Sequence, residues 1–412
     1  MWAYDYNTKN NKKCTEYINF YMFIGEEIYF HPDFVSDIDE IIINQITNNK
    51  SNTIKFLNKV EEIKDIVGSN SFILTGSHCY NCRDFNKTSK FDKDVNFTNC
   101  KYIKNISFGN SFNKSLDNKL PFLEILELGD KFNQLVDLLP KTIKKLKFGK
   151  SFNQPIKIFP FNLEHIEFGH DFNQRINNLP DSVKYLKLGE LFHLSISSYP
   201  IGLKEFVMGN KYNCSINNLP TNLEKITFSD GFKKNIISLP NNIEELNFNL
   251  KFNNKVSKYP NNLRKLKFGD NYSYPVDNLP NKLEDLEFGK LFNNTIDNLP
   301  TSLKKIKFSD MFNQCVDNLP CGLDVIIFGF SFNQSIDNLP SSLKKIYFGS
   351  NFNKSIDNLP VNLIIINFEL VKNYNCKINK LPPMSKIIVR NNQKKQFIDL
   401  LGKKSNLCNL IN

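Results

Sequence analysis

Metal binding, catalysis and cofactor chemistry each need particular side chains at particular spacings. His78, Cys79, Cys82 and Cys100 include a single Cys-x-x-Cys pair. Zinc takes a tetrahedral set of nitrogen and sulfur ligands, usually from two closely spaced pairs. No second pair follows here, so a metal centre is not expected. Asp277, Asp297, Asp317, Asp337 and Asp357 form a column at twenty-residue spacing. Such a row could bind calcium, but the Gly-Gly-x-Gly-x-Asp signature of calcium-binding coils is missing. Asp followed by Asn just before Leu-Pro suits hydrogen bonds to its own turn backbone instead. His31, His165, His170 and His193 are scattered. No Gly-x-Ser-x-Gly elbow, Walker loop or dinucleotide fingerprint occurs. The reading is a chain with no enzyme activity, cofactor or metal.

The twenty-residue spacing governs most of the chain. The aromatic of a Phe-Asn-x-x-Ile/Val unit recurs from Phe132, Phe152 and Phe172 through Tyr212 and Tyr272 to Phe352, and a proline follows in step from Pro140 to Pro360. A fixed short period implies a stack of near-identical coils, each resting on its neighbours. One coil contains Ile143, Leu146, Phe148, Gly149, Phe152, Asn153, Ile156, Phe159 and Pro160. Leu146-x-Phe148 has period two, which predicts a short strand with both side chains inward. Gly149 and its equivalents serve the corner after the strand, with Ser229, Asn249 and Ser309 as replacements. The Asn after each aromatic offers both amide donors and an acceptor. Stacked amides would satisfy backbone groups left orphaned by the turn. His193, Lys233 and Ser273 interrupt that ladder. Proline cannot donate to a sheet and suits the back wall.

The outward strand positions form two charged columns. One runs Glu205, Lys225, Glu245, Lys265, Asp285, Lys305, and the other Glu127, Lys147, Glu167, Lys187. Alternating sign predicts cross-strand neutralisation. It also disfavours nucleic acid, which wants an unbroken basic strip. Towards the C-terminal end Val325, Ile327, Tyr347, Ile364 and Ile365 occupy positions that are charged elsewhere. They are expected side by side on the strand face, as a partner-docking patch or as a surface beneath a C-terminal cap.

The recurring order Phe-Asn-x-x-Ile…Leu-Pro-x-x-Leu-x-x-Leu-x-Phe-Gly spans about residues 98–390. It resembles the FNIP repeats of social amoebae and of giant viruses that infect amoebae. It is also similar to leucine-rich repeats, as in Pro340-Ser-Ser-Leu343-Lys-Lys-Ile346. One departure is that the Asn stands five residues after Phe148, not three after the last strand Leu. The fold expected is α/β but β-rich: a leucine-rich-repeat-like solenoid of about fourteen coils with short parallel strands. The resemblance implies a protein-protein interaction scaffold, with a partner it does not identify. Many FNIP-repeat proteins carry an F-box at the N-terminus, but its Leu-Pro-x-Glu opening is not found here. A hairpin followed by His31 and a helix is similar to the start of a BTB domain. The alternative expectation is therefore a substrate-recognition adaptor that engages ubiquitin-ligase components.

Three regions follow: an N-terminal α+β module or cap over 1–97, the solenoid over 98–390, and a capping helix and tail over 391–412. In the first, Ile18 to Ile24 and Ile28 to Phe30 read as a hairpin turning at Gly25-Glu26-Glu27. Phe34, Ile38, Ile41, Ile42 and Ile46 have helical spacing, as do Ile54, Leu57, Val60, Ile63 and Val67. Phe85-Asn86 reads as a decayed repeat. Phe397, Leu400 and Leu401 before Gly402 predict the C-terminal helix. The formal charge of +11 partly reflects a composition rich in Lys, Asn, Ile and Phe. Nine irregularly spaced cysteines, no signal-like segment and no membrane-length apolar run suggest a reducing intracellular compartment, the host cytoplasm if the protein is viral.

Overall fold

The computed structural model describes residues 21–30, 34, 37–38, 40–57, 90–120, 122–402 and 409–411. They divide into two compact units, within residues 1–203 and 204–412.

In the first unit, β1 (Tyr21–Ile24) and β2 (Glu27–Phe30) pair as an antiparallel hairpin. Gly25 takes φ 58 in the turn, a conformation that costs glycine little. After α1 (Glu40–Asn48) comes β3 (Thr53–Phe56), which lies parallel to β2 and to β4 (Asn105–Ser107). β5 (Ile125–Glu127), β6 (Lys145–Lys147), β7 (His165–Glu167) and β8 (Tyr185–Lys187) then add in parallel, each residue beside the one twenty earlier.

The second unit repeats the pattern. It runs through β9 (Glu205–Val207), β10 (Lys225–Thr227), β11 (Glu245–Asn247), β12 (Lys265–Lys267), β13 (Asp285–Glu287) and β14 (Lys305–Lys307). β15 (Val325–Ile327), β16 (Lys345–Tyr347), β17 (Ile365–Asn367), β18 (Lys386–Ile388) and β19 (Asn409–Ile411) continue it, every neighbouring pair parallel.

Each coil strand is only three residues long, and its middle residue points inward. Leu146, Ile166, Leu246 and Ile346 are buried. The following aromatic is buried too, and its N–H carries the ladder one bond further, as from Phe148 to the Glu167 carbonyl at 2.9 Å. Proline opens the turn into the next strand: the Pro160 carbonyl accepts from the Leu163 N–H at 3.1 Å.

Two aromatic columns fill the core beside the strands. Ring centroids of Phe112, Phe132, Phe152, Phe172 and Phe192 are separated successively by 6.2, 6.1, 5.8 and 6.2 Å, with nearly parallel planes. Phe292, Phe312, Phe332 and Phe352 repeat this at 6.5, 6.2 and 6.1 Å. Within a coil the second ring closes on the first, 3.8 Å between Phe148 and Phe152. The separations near 6 Å between coils are those of offset stacking. The corner is tight. A methyl on Gly169 would lie 1.8 Å from the Gly149 carbonyl oxygen, so the glycine there permits close backbone approach. Ser309 stands at an equivalent corner and donates its hydroxyl to the Phe292 carbonyl at 2.5 Å.

The Asn ladder forms as expected. Asn133, Asn153, Asn173 and His193 each donate a backbone N–H to the side-chain oxygen of the Asn one coil earlier, at 2.9–3.1 Å. Asn313, Asn333 and Asn353 do the same at 2.9 Å. Where Lys233 or Ser273 replaces Asn, its N–H still donates to the preceding Asn. A hydroxyl ladder accompanies it: Thr142, Ser182, Ser302 and Ser342 donate to the carbonyls of Leu123, Leu163, Leu283 and Leu323.

One expectation needs correction. Ile54 lies in β3, not in a helix, because pairing on both sides satisfies its backbone and puts Ile54 and Phe56 inward. Val60, Ile63, Val67 and Phe85-Asn86 lie outside the described residues. Among the described residues a decayed repeat stands at Phe91-Asp92-x-x-Val95. Phe91 stacks on Phe112 at 6.0 Å, and the Asp92 carboxylate accepts the Asn113 N–H at 2.8 Å, the part Asn plays elsewhere. Phe30 and Phe56 extend the stack of rings at 4.6 Å. At the C-terminal side α2 (Lys394–Leu401) ends at Gly402, as its spacing predicts. Its Phe397 packs on Phe368 and Tyr374, 4.9 and 5.6 Å away, and covers the last coil's core.

Phe172→Ala and Phe292→Ala each remove a fully buried ring. Each is expected to cost about 3–5 kcal/mol in chemical denaturation. An unchanged unfolding midpoint in either variant would contradict the inward placement of that column.

Candidate functional site

Along the coil strands β4 to β16 the first and third residues face out. Within β4–β8 and within β9–β17 the parallel register sets each outward residue beside its equivalents one coil, twenty residues, away. Lys225 sits between Glu205 at 3.4 Å and Glu245 at 3.3 Å. Burial opposes its charge, yet the two carboxylates outweigh burial and raise its pKa. Glu287 lies between Lys267 at 3.2 Å and Lys307 at 2.9 Å, and their hydrogen bonds overcome burial to hold its carboxyl below the usual range.

A third column, just before the strand, was not singled out from sequence. It pairs Glu124 with Lys104 and Lys144, Lys184 with Glu164, Lys204 with Glu224, Arg264 with Glu284, and Lys344 with Asp324. Its signs alternate except at Lys184 and Lys204 and at Glu224 and Glu244, a pattern readable in the same way as in the other two. In the first unit His165 stacks on Tyr185 with centroids 4.0 Å apart. Its ring lies 2.9 Å from Glu167 and, through that hydrogen bond, brings the Glu167 carboxyl down to about 2.

The Asp column is occupied by the repeat's own amides. Asn318, Asn338 and Asn358 donate to Asp297, Asp317 and Asp337 at 3.3, 3.1 and 2.9 Å. Asn379 donates to Asp357 at 2.7 Å. Among the described residues no three His, Cys, Asp or Glu side chains gather as a metal site would require. Cys100 is buried, which pushes its thiol pKa up, away from the thiolate a metal needs. His78, Cys79 and Cys82 lie outside the described residues, as does His31. An open groove of about 590 Å³ in the first unit is lined by Pro155, Gln174, Arg175 and Leu194, all at ordinary coil positions.

The apolar patch is real but not continuous. Ile327 and Tyr347 are direct cross-strand partners. Val325 and Ile365 do not touch through the ladder, because Lys345 stands between them in register. Ile364, just before β17, is 45% exposed. Val325, Ile327, Tyr347 and Ile365 are half-buried among their strand neighbours. Phe330, three residues beyond Ile327 on the same coil, is 51% exposed and carries the apolar surface round the corner. The sequence signal for it was a Phe outside the repeat register. The described part of the C-terminal cap does not cover this face: α2 contacts the core residues Phe368 and Tyr374, and its Gln396 donates to the Tyr374 carbonyl at 2.6 Å.

Two outcomes test the charged face. Lys225→Ala should change stability by less than about 1 kcal/mol in a denaturant titration, since its pairs are solvent-accessible. Glu167 has a folded pKa of about 2, below its ordinary 4.5. Its stabilisation is complete above pH 4.5 and is lost as pH falls towards 2. Denaturation at pH 6 and at pH 2.5 should therefore show Glu167→Gln less stable than wild type at pH 6, with the gap narrowing at pH 2.5. A gap independent of pH would refute the His165–Glu167 pairing.

Comparison with known proteins fits this architecture. The FNIP Repeat family matches residues 121–151, 152–191, 252–291, 292–331 and 332–370. Among solved structures the chain is similar to CroV588, a giant-virus protein described as a novel circular LRR protein structure. The two are 28% identical, with a TM-score of 0.65, over 90% of this chain and 67% of that one. YopM from Yersinia enterocolitica WA-314 matches at 18% identity and a TM-score of 0.46, over 73% of this chain and 72% of that one. No curated protein sequence matches the chain. Among the described residues no helix is long and apolar enough to cross a membrane. Five stretches of the chain within residues 121–191 and 252–370 are thus FNIP repeats, and the fold is a leucine-rich-repeat-like solenoid of about fourteen coils.

Proposed function

We propose that the chain is a non-catalytic interaction scaffold that docks a protein partner on the strand face around Ile327 and Tyr347. The observation that carries this is the paired Ile327 and Tyr347 side chains, with Ile364 and Ile365 on the next coil, following coils whose outward residues from Lys265 to Lys307 are all charged. Exposed apolar surface on a folded chain favours burial against another protein. The repeat fold supports the reading, since solenoids present long regular binding surfaces. Interleaved carboxylates on the charged columns work against a nucleic-acid partner. The hairpin behind the ligase-adaptor alternative continues into the parallel sheet of the first unit, which favours the scaffold reading over it.

Affinity capture from lysate of the source cells, with wild type and the I327D/Y347D double variant, tests the proposal. A partner retained by wild type and lost by the variant is expected, with both proteins melting alike. Partners recovered equally by both would move the interaction off this face.

A further inference from the structure

The way the patch arises says what chemistry should cover it. In the second unit the column Glu205, Lys225, Glu245, Lys265, Asp285, Lys305 continues as Val325, Lys345, Ile365, Lys386. The column Lys267, Glu287, Lys307 continues as Ile327 and then Tyr347. Arg264, Glu284, Lys304, Asp324, Lys344 is followed by Ile364. At Val325, Ile327, Ile364 and Ile365 the alternation calls for an acid and an aliphatic side chain stands there. The face has lost its acids and kept lysines.

Three of the upstream lysines are ion-paired within the chain. Lys305 lies 3.1 Å from Asp285, Lys307 lies 2.9 Å from Glu287, and Lys344 lies 2.9 Å from Asp324. Lys345 instead has Val325 and Ile365 as its register neighbours, and Lys386 has Ile365 and Asn409. Among the described residues neither ammonium forms an ion pair, and both side chains are exposed.

Building on the docking reading above, we infer that the docked segment is an acidic, amphipathic stretch of a protein partner, with carboxylates interleaved among apolar side chains. Its apolar residues cover Ile327, Tyr347, Ile364 and Ile365. Its carboxylates take the places beside Lys345 and Lys386 where the repeat no longer supplies them, matching the face in both charge and polarity. A nucleic-acid phosphate would satisfy the lysines but leave the aliphatic side chains without a counterpart.

The test is selection of a random dodecapeptide phage library on the full-length chain. Winners are counter-screened on two double variants, Lys345→Glu with Lys386→Glu, and Ile327→Asp with Tyr347→Asp. Enriched peptides should interleave Asp or Glu with apolar residues. They should lose roughly tenfold or more in affinity on the lysine reversal and weaken as salt is raised. If neutral or basic peptides win, and bind the lysine reversal as well as wild type while failing on the Ile327/Tyr347 variant, the acidic-segment inference falls and the docking face stands. If no enriched peptide depends on either variant, both fall together.

Discussion

Every other feature of this protein depends on one constraint: within each unit, a coil must lie in register on the coil before it. A single coil offers one three-residue strand and two aromatic rings, too little to bury anything alone. Stacked, Phe152 lies over Phe132 and beneath Phe172, at centroid separations near 6 Å. A slip of one residue would turn the inward Leu146 out to solvent and bring Lys147 into the core. The benzyl columns, the asparagine oxygens that capture the next coil's N–H and the hydroxyls that cap the leucine carbonyls all enforce the same register. They are mutually supporting, so a lapse such as Lys233 in the Asn column is tolerated by its neighbours.

The same geometry turns surface chemistry into columns. A side chain on the strand face is judged by its counterparts above and below. Alternation of sign makes most of that face self-satisfied, with Lys225 between two glutamates and Glu287 between two lysines. Substitution on this face leaves the core untouched, because inward and outward residues alternate along a strand. The surface can therefore change one coil at a time while the solenoid persists. Replacing acids by Val325, Ile327, Ile364 and Ile365 is a change of that kind, and its consequence appears on the neighbouring coil, where Lys345 is left between two aliphatic partners.

Much of this was legible in the residue order. The repeat, the inward aromatics, the Asn ladder and the closing helix all come from local pattern that recurs at fixed spacing. The patch residues were legible too, as departures from a charge column. Less visible were the coils where the pattern had decayed. Phe91-Asp92 keeps the ring and the acceptor oxygen but not the amide, and only its position over Phe112 and Asn113 identifies it. Ile54 was ambiguous because apolar residues spaced three apart suit a helix as well as an end of a strand.

The amino-acid order by itself determined the coil: its length, its inward and outward positions, and the residues that turn it. Those are consequences of backbone sterics and hydrophobic periodicity, which act within about twenty residues. Only the tertiary structure decided which outward residues became neighbours. That is why Ile327 meets Tyr347 directly while Lys345 keeps Val325 and Ile365 apart. Such adjacency is set by the parallel register between coils, and no property of a single coil contains it.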